Sequence, residues 1–358
     1  MNHHFFKGFV KGFWGVGSLI YIFLILIIAV FAYKIAPDKT RNGNQMHLSI
    51  HSKPPGFKVL ILKIPQNYSE KQTSPFFFGS LNTDEEIPLK QYRVTNDGIA
   101  YQVYGTTTSV YENVLVGSFP KGTTPEEIGA KYIEKRVFPL GTDKYGRDLL
   151  SRLIIGSRIS LSIGFVAVFI SLSIGIFLGA IAGYYGGWID RVIVWLVNVV
   201  WSIPTLLMVI AITLALGRGF WQVFIAVGLT MWVEVARLVR GQVKAIKEKL
   251  FVQAAESLGF SDFRILWYHI MPSVIAPLIV IAAANFASAI LLESGLSFLG
   301  IGAQPPMPSW GGMIKDHFRY LLLGKPYLAV LPGLAIMTLV LAFMMLGNRL
   351  RDALDVKN

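Results

Sequence analysis

Apolar positions along this chain gather into six uncharged runs, at 13–33, 159–183, 192–217, 219–233, 270–292 and 327–347. Between them polar and charged residues return. A bilayer core needs about 20 apolar residues in a helix, so the pattern predicts six transmembrane helices. The fourth run is short; it extends through Glu234, which is expected near the interface. Lys7 and Lys11 precede the first run, and Val30 and Ala32 fit a cleavage site. Yet a signal-peptide core spans only roughly 7–15 residues. The reading is therefore an uncleaved anchor over residues 1–33.

The long polar stretch, 34–157, has a different pattern. "FKVLILKI" (57–64) is short and β-branched, and "GIAYQVYGTTTSVYENVLVG" (98–117) reads as two strands. "TTPEEIGAKYIEKRV" (123–137) reads as a helix, with Thr124 as N-cap, Pro125 at the first position, acids early and bases late. Asp143 and Arg147 stand four apart and predict an interfacial helix ahead of the second span. A small α+β insert results.

Lys and Arg set the orientation. With the N-terminus inside, the inner segments hold Lys7, Lys11, Arg191, Arg237, Arg240, Lys244, Lys247, Lys249, Arg264, Arg349, Arg351 and Lys357. The short outer loops hold only Arg218, Lys315, Arg319 and Lys325. This bias places both termini in the cytoplasm and the insert outside. Trp14, Trp188, Trp232, Tyr33, Tyr184 and Tyr327 fall near the expected span ends, as an aromatic belt requires. In the second span Gly175, Gly179 and Gly183 share one face, a spacing that lets two helix backbones approach closely. Pro204 and Pro277 are expected to kink the third and fifth spans.

Composition agrees with a membrane protein: 53% of residues are hydrophobic, 15% are charged, and mean hydropathy is +0.54. The net charge of +12 belongs at membrane flanks, facing anionic lipid, rather than on nucleic acid. There is no Cys, so no disulfide or Cys-based metal site. The six His form no H-E-x-x-H, and G-x-S-x-G is missing. "GSFPKGTT" from Gly117 has its Lys before the second Gly and fails as a phosphate-binding loop. No catalytic or metal-binding constellation emerges.

One polar segment is longer than a hairpin needs. "VQAAESLGFSDFRILWYHIMP" (252–272) carries Phe251, Ala254, Ala255 and Leu258 at i, i+3, i+4 and i+7 around it, one face of a short helix. Gly259 is placed to end that helix, and Ser261 to cap a second. Phe260 and Ile265 flank the cap as a hydrophobic staple. Small alanines let a protein surface approach, whereas a lipid-facing helix favours Trp, Phe, Leu and many bases. The segment reads as a docking elbow for another chain.

"QAAESLGFSDFRILWYHIMP" resembles the EAA signature of ABC-importer permeases. Gln253, Ala254, Ala255, Gly259, Ile270 and Pro272 stand at its positions; Gln253 replaces the usual Glu, and Met271 the usual Leu. "FPLGTDKYGRDLLSRLIIGSRISLSIG" (138–164) and "LLESGLSFLGIGAQPPMPSWGGMI" (291–314) are similar to segments of the C subunits of dipeptide/oligopeptide (peptide/nickel) permeases. The resemblance covers 138–358 well, 1–33 loosely and about 40–135 not at all. It implies an all-α membrane protein of the type-I, methionine-transporter-like permease fold, with the α+β insert after its first helix. The domain reading is an anchor (1–33), insert and pre-span helix (34–157), a five-helix core (158–347) with coupling segment 240–271, and a cytosolic tail (348–358).

The resemblance further implies a transport subunit of the cell inner membrane with no cofactor of its own. Two ABC ATPase subunits would use ATP–Mg, a homologous B-type permease would complete the pathway, and an extracytoplasmic binding protein would deliver substrate. Phe251, Gln253, Ala254, Ala255, Glu256, Ser257, Leu258, Gly259 and Phe260 are the expected ATPase contacts. Glu293, Asn285 and Asn198 are the candidate pathway residues. Peptides are the expected substrates; nickel chelates, glutathione-like compounds and opines are alternatives. A membrane-anchored sensor is the competing class, but the tail after Leu346 leaves little room for an output domain.

Overall fold

The computed structural model describes residues 13–65, 75–80, 84–106, 110–217 and 219–355. Lys7, Lys11, Arg218 and Lys357, which bear on the expected orientation, lie outside them. Apolar helix α1 (Phe13–Val30) leads into the insert, which carries strands β1 (Phe57–Ile64), β2 (Glu85–Thr95), β3 (Gly98–Val103), β4 (Glu112–Leu115) and β5 (Ile133–Phe138), with α2 (Pro125–Lys131) before β5. The core follows as α3 (Leu149–Tyr185), α4 (Gly187–Trp201), α5 (Thr205–Leu216), α6 (Phe220–Lys247), α7 (Leu250–Ser257), α8 (Met271–Leu299), α9 (Trp310–His317) and α10 (Tyr327–Asp355).

Apolar segments coincide with the six expected runs, but among the described residues only four, or five with a bent pair counted as one, suffice by length and apolarity to cross a membrane. Four are helices long and apolar enough to cross a membrane: Leu149–Tyr185, Phe220–Lys247, Asp262–Leu299 and Tyr327–Ala353. α4 and α5 make a fifth, broken by a 91° bend, and Trp14–Val30 is a shorter apolar helix. Pro204 therefore does more than kink its span. It sits at the N-cap of α5, where its lack of an N–H breaks the helix outright. α8 instead runs continuously through Pro277, and its irregularity lies earlier, in a π-helical turn over Ile265–Ile270.

α6 is much longer than the expected 219–233. Glu234 interrupts the apolar run but not the helix, which continues to Lys247. Trp232 is consequently not a belt residue; it is buried in mid-helix against α4, with Val197. The glycine face of α3 meets this helix. A Cβ on Gly175 would fall 2.5 Å from Val235 Cβ, on Gly179 2.5 Å from the Ala236 carbonyl oxygen, and on Gly183 2.7 Å from the Arg240 carbonyl oxygen. Only hydrogen fits there, so the two backbones touch.

The insert is an antiparallel sheet in the order β4–β3–β2–β1–β5. Leu62, Leu89, Ile99 and Tyr101 pack with Ile128 of α2 on one face, while Val59, Ile61 and Phe138 pack on Ile50 on the other. Thr124 caps α2 in a full capping box with Glu127, and Pro125 opens it. The helix ends at Lys131, however, and the remainder of the expected helix is β5, whose Ile133–Phe138 pair with β1 from Leu62 to Phe57. Pairing along β1 outweighs the weak helical pattern of "IEKRVF".

The expected interfacial helix is not separate. Residues 149–157 are the first turns of α3, and its cap is Asp148, which accepts from Ser151 N at 2.8 Å. Asp143 lies in a turn upstream, wholly buried, and receives Arg147 Nε at 2.6 Å. This turn closes the neck of the insert: Thr142 N donates to the Lys53 carbonyl at 3.1 Å, Lys53 N to Thr142 Oγ1 at 2.9 Å, and Ser52 N to the Asp143 carbonyl at 2.8 Å. Gly141, at φ +81°, passes so close to Lys53 that a Cβ would meet its oxygen at 2.2 Å. Lys144 binds Asp316 at 3.0 Å, and the Tyr327 hydroxyl donates to the Lys53 carbonyl at 2.7 Å, tying the neck to α9 and α10. Residues 348–355, expected as a tail, continue α10.

Candidate functional site

The elbow between α6 and α8 forms as its residues dictate. α7 ends in a paired set of backbone bonds: Gly259 N donates to the Glu256 carbonyl at 2.9 Å, and Phe260 N to the Ala255 carbonyl at 3.2 Å. Gly259 takes φ +76°, the left-handed conformation this closure requires. Phe260 folds back against the same apolar cluster as Ala255 and Ile265, as the staple predicts. Ser261 holds the N-cap position of the next turn, but its side chain makes no capping bond. The elbow is clamped from behind. Lys247 Nζ donates to the Tyr184 carbonyl at 2.8 Å, the Tyr184 hydroxyl to Asp262 Oδ1 at 3.0 Å, and the Arg264 guanidinium lies 4.3 Å from the Phe260 ring centre.

The orientation of α7 differs from the expected single face. Val252 and Ala255 point inward and are buried, whereas Phe251, Ala254 and Leu258 point outward. Ala255 thus anchors the helix from its inner side. Gln253, Glu256, Ser257 and Gly259 are exposed, and Phe260 is half-buried. Gln253 Nε2 donates to the Glu248 carbonyl at 3.3 Å. The outward ridge is apolar: Leu258 is 73% exposed, and Leu250 (83%) and Phe263 (66%) extend it beyond the expected residues. The signal for these two is their own hydrophobicity, which lies outside the 251–258 periodicity.

The candidate pathway residues separate. Glu293 is wholly buried, and its Oε1 accepts from Ser297 Oγ at 2.6 Å. Asn285 is buried as well. Asn198 is exposed; its Oδ1 accepts from Arg237 Nη2 at 2.9 Å, and it lines a small cavity with Arg237 and Arg240. Arg240 forms a two-pronged pair with Asp190.

A larger cleft of about 490 Å³ opens where α4 breaks into α5. Trp201, Ile203 and Leu206 form one wall, Thr230 and Glu234 of α6 the second, and Ser288, Leu291 and Gly295 of α8 the third. Glu293 lies on the opposite side of α8 from these residues, which is why it does not line the opening. Glu234, by contrast, is expected at the interface end of the fourth span. Its charge lowered the apparent hydropathy of a helix that in fact continues.

Residues 175–357 match the family described as "Binding-protein-dependent transport system inner membrane component". The glutathione transport system permease protein GsiD of Pectobacterium atrosepticum is 41% identical over 218 residues, which are 61% of this chain and 72% of that protein. The dipeptide transport system permease protein DppC of Alkalihalophilus pseudofirmus is 43% identical over 217 residues, 61% of this chain and 71% of that protein. Among solved structures, an inward-facing form of the MetNI methionine ABC transporter aligns over 57% of this chain and 97% of its own, at 18% identity and a TM-score of 0.47. With a family match over more than half its length and relatives above 40% identity, the chain belongs to the inner-membrane permeases of binding-protein-dependent transport systems.

Proposed function

We propose that this chain is one permease subunit of an ATP-driven importer of small peptides, with dipeptides and glutathione-like compounds as its substrates. The relatives named as dipeptide and glutathione permeases support that substrate class. A homologous permease subunit completes the pathway, two ATPase subunits use ATP–Mg, and a binding protein delivers the substrate. Both termini face the cytoplasm, and the insert faces outward, in keeping with the Lys and Arg bias. In this reading residues 1–33 anchor the chain, 34–157 hold the insert and the start of α3, 158–347 form the core with coupling segment 240–271, and 348–358 are cytosolic.

The observation that carries the coupling role is the α7 elbow. It exposes an apolar ridge, Leu250, Phe251, Ala254 and Leu258, on a turn fixed from behind by Lys247, Tyr184 and Asp262. An exposed apolar ridge on a rigid mount suits a protein partner. Closure of the ATPases then pushes on α7, and Phe260 and Ile265 pass the displacement to α6 and α8 through their shared cluster. In this reading Glu293 and Asn285 support the pathway from inside the bundle, and Asn198, with Arg237 and Arg240, lines a second cavity beside it.

The test is purification of the complex from cells that co-express the partner genes, paired with uptake of labelled dialanine and glutathione. Leu258→Arg, at an exposed position, is expected to leave the chain in the membrane and remove the ATPase subunits from it. Retention of the ATPase subunits by that variant would refute the coupling role, and absence of uptake by the wild type would refute the substrate reading.

A further inference from the structure

Glu234 is set about 21 Å along α6 from Phe220, so that, counted from that end, it falls within a hydrocarbon core of about 30 Å and short of the interface expected for it. Its neighbours Met231, Trp232, Val233, Val235 and Ala236 are all buried, yet Glu234 itself is exposed. It has no hydrogen bond or ion pair among the described residues. The nearest cation along the helix, Arg237, is engaged elsewhere: its guanidinium lies 3.6 Å from the Trp201 ring centre and donates to Asn198. Among the described residues that line the α4–α5 cleft, Glu234 is the only ionisable one; the others are apolar, hydroxyl-bearing or glycine.

A carboxylate at this depth is expensive in lipid and stays only where it meets water or a cation. The cleft supplies that setting. It opens because Pro204 breaks the α4–α5 span by 91° beside Glu234, and broken spans at the midplane are where transporters hold their cargo. We propose that Glu234 is a specificity residue of the pathway, whose carboxylate receives the ammonium group of the passing substrate. The inference rests on the importer reading above and adds the chemical class of the cargo, a small molecule carrying a free primary amine. Thr230 and Ser288 bring hydroxyls to the same opening, while the wall of Trp201, Ile203 and Leu206 accommodates apolar side chains.

The experiment compares Glu234→Gln and Glu234→Asp in the complete importer, reconstituted with its binding protein, with labelled dialanine and glutathione as probes; both carry a free α-ammonium. Gln keeps the shape and loses the charge; Asp keeps the charge and loses a methylene. A charge contact with cargo predicts that Gln lowers uptake by at least about tenfold while Asp retains most of it. The purified complex should contain all its subunits in both variants. The proposal is overturned if Gln transports as well as wild type, or if Asp is the worse variant, which marks a packing role. It is also overturned if Gln loses the second permease subunit, which marks an ion pair between subunits. Failure of the wild-type importer to move either probe overturns the peptide reading and this proposal with it, and so is distinct from a defect confined to the variants.

Discussion

Replacing Gly259 tests the elbow at its most constrained point. The residue sits at φ +76°, and a Cβ built there meets nothing within 4 Å. Any cost of substitution is therefore backbone strain, not collision. An L-residue in this conformation costs about 1–2 kcal/mol, a β-branched one more, and Asn less because its side chain tolerates the left-handed region. Against a total stability of about 5–15 kcal/mol, that leaves the bundle folded. Locally it matters more. The Gly259 and Phe260 amides close the end of α7, and relief of the strain opens those bonds and lets the apolar ridge rotate away from its mount. A penalty of about 1–2 kcal/mol corresponds to a factor of about 5–30 in the population of the closed elbow. Uptake of labelled dialanine, normalised to the amount of chain in the membrane, should fall in the order Gly, Asn, Ala, Val, with Val lowest by about that factor. Normal uptake by Gly259→Val, or equal loss in Asn and Val, would refute the strain argument.

Two other predictions concern the scaffold. Gly179→Ala places a methyl 2.5 Å from the Ala236 carbonyl and should cost about 1–3 kcal/mol, read as a lower melting temperature of the detergent-solubilised complex, whereas Gly241→Ala on α6 meets nothing within 4 Å and should be neutral or slightly stabilising. In the insert, burial works to raise the Glu86 pKa, but hydrogen bonds from His47 and Arg136 and the Arg136 charge bring it down from 4.5 to about 2. Because the folded carboxylate binds its proton more weakly than the unfolded one, its stabilisation is complete above about pH 4.5 and is lost as the pH falls toward 2. Protease nicking of the insert in membrane vesicles should rise over that interval, and Glu86→Gln should show the nicking already at neutral pH.

What could be read from the residues depended on whether local pattern and final environment agree. The Thr124–Glu127 capping box and the β-branched run 57–64 are self-contained signals, and α2 and β1 start where they predict. β2 is hidden because "EEIPLKQYRVT" mixes charges with a proline; it becomes a strand because β1 and β3 flank it. β5 is disguised as the end of a helix for the same reason, its pairing with β1 lying some seventy residues upstream. Hydropathy located the apolar helices but not their ends, since Glu234, Arg237 and Arg240 follow an apolar run without interrupting the helix. At the elbow, the Gly–Phe–Ser break was legible, but the facing of α7 was not. Val252 and Phe251 are equally apolar in sequence, and only packing against Ile246 and Ile265 decides which is buried.

The neck of the insert has a bearing on how such a chain evolves. Lys53 and Thr142, eighty-nine positions apart, exchange two hydrogen bonds, so the strand-bearing segment leaves the helical machinery and returns to it at the same point. Such a junction is a graft site. The segment beyond it can be lengthened, exchanged or deleted by a short replacement turn, because neither flank must travel to reconnect and loop closure grows only slowly with length. The sheet and the helical bundle can therefore diverge at different rates, since a change beyond the neck leaves the packing of the bundle untouched.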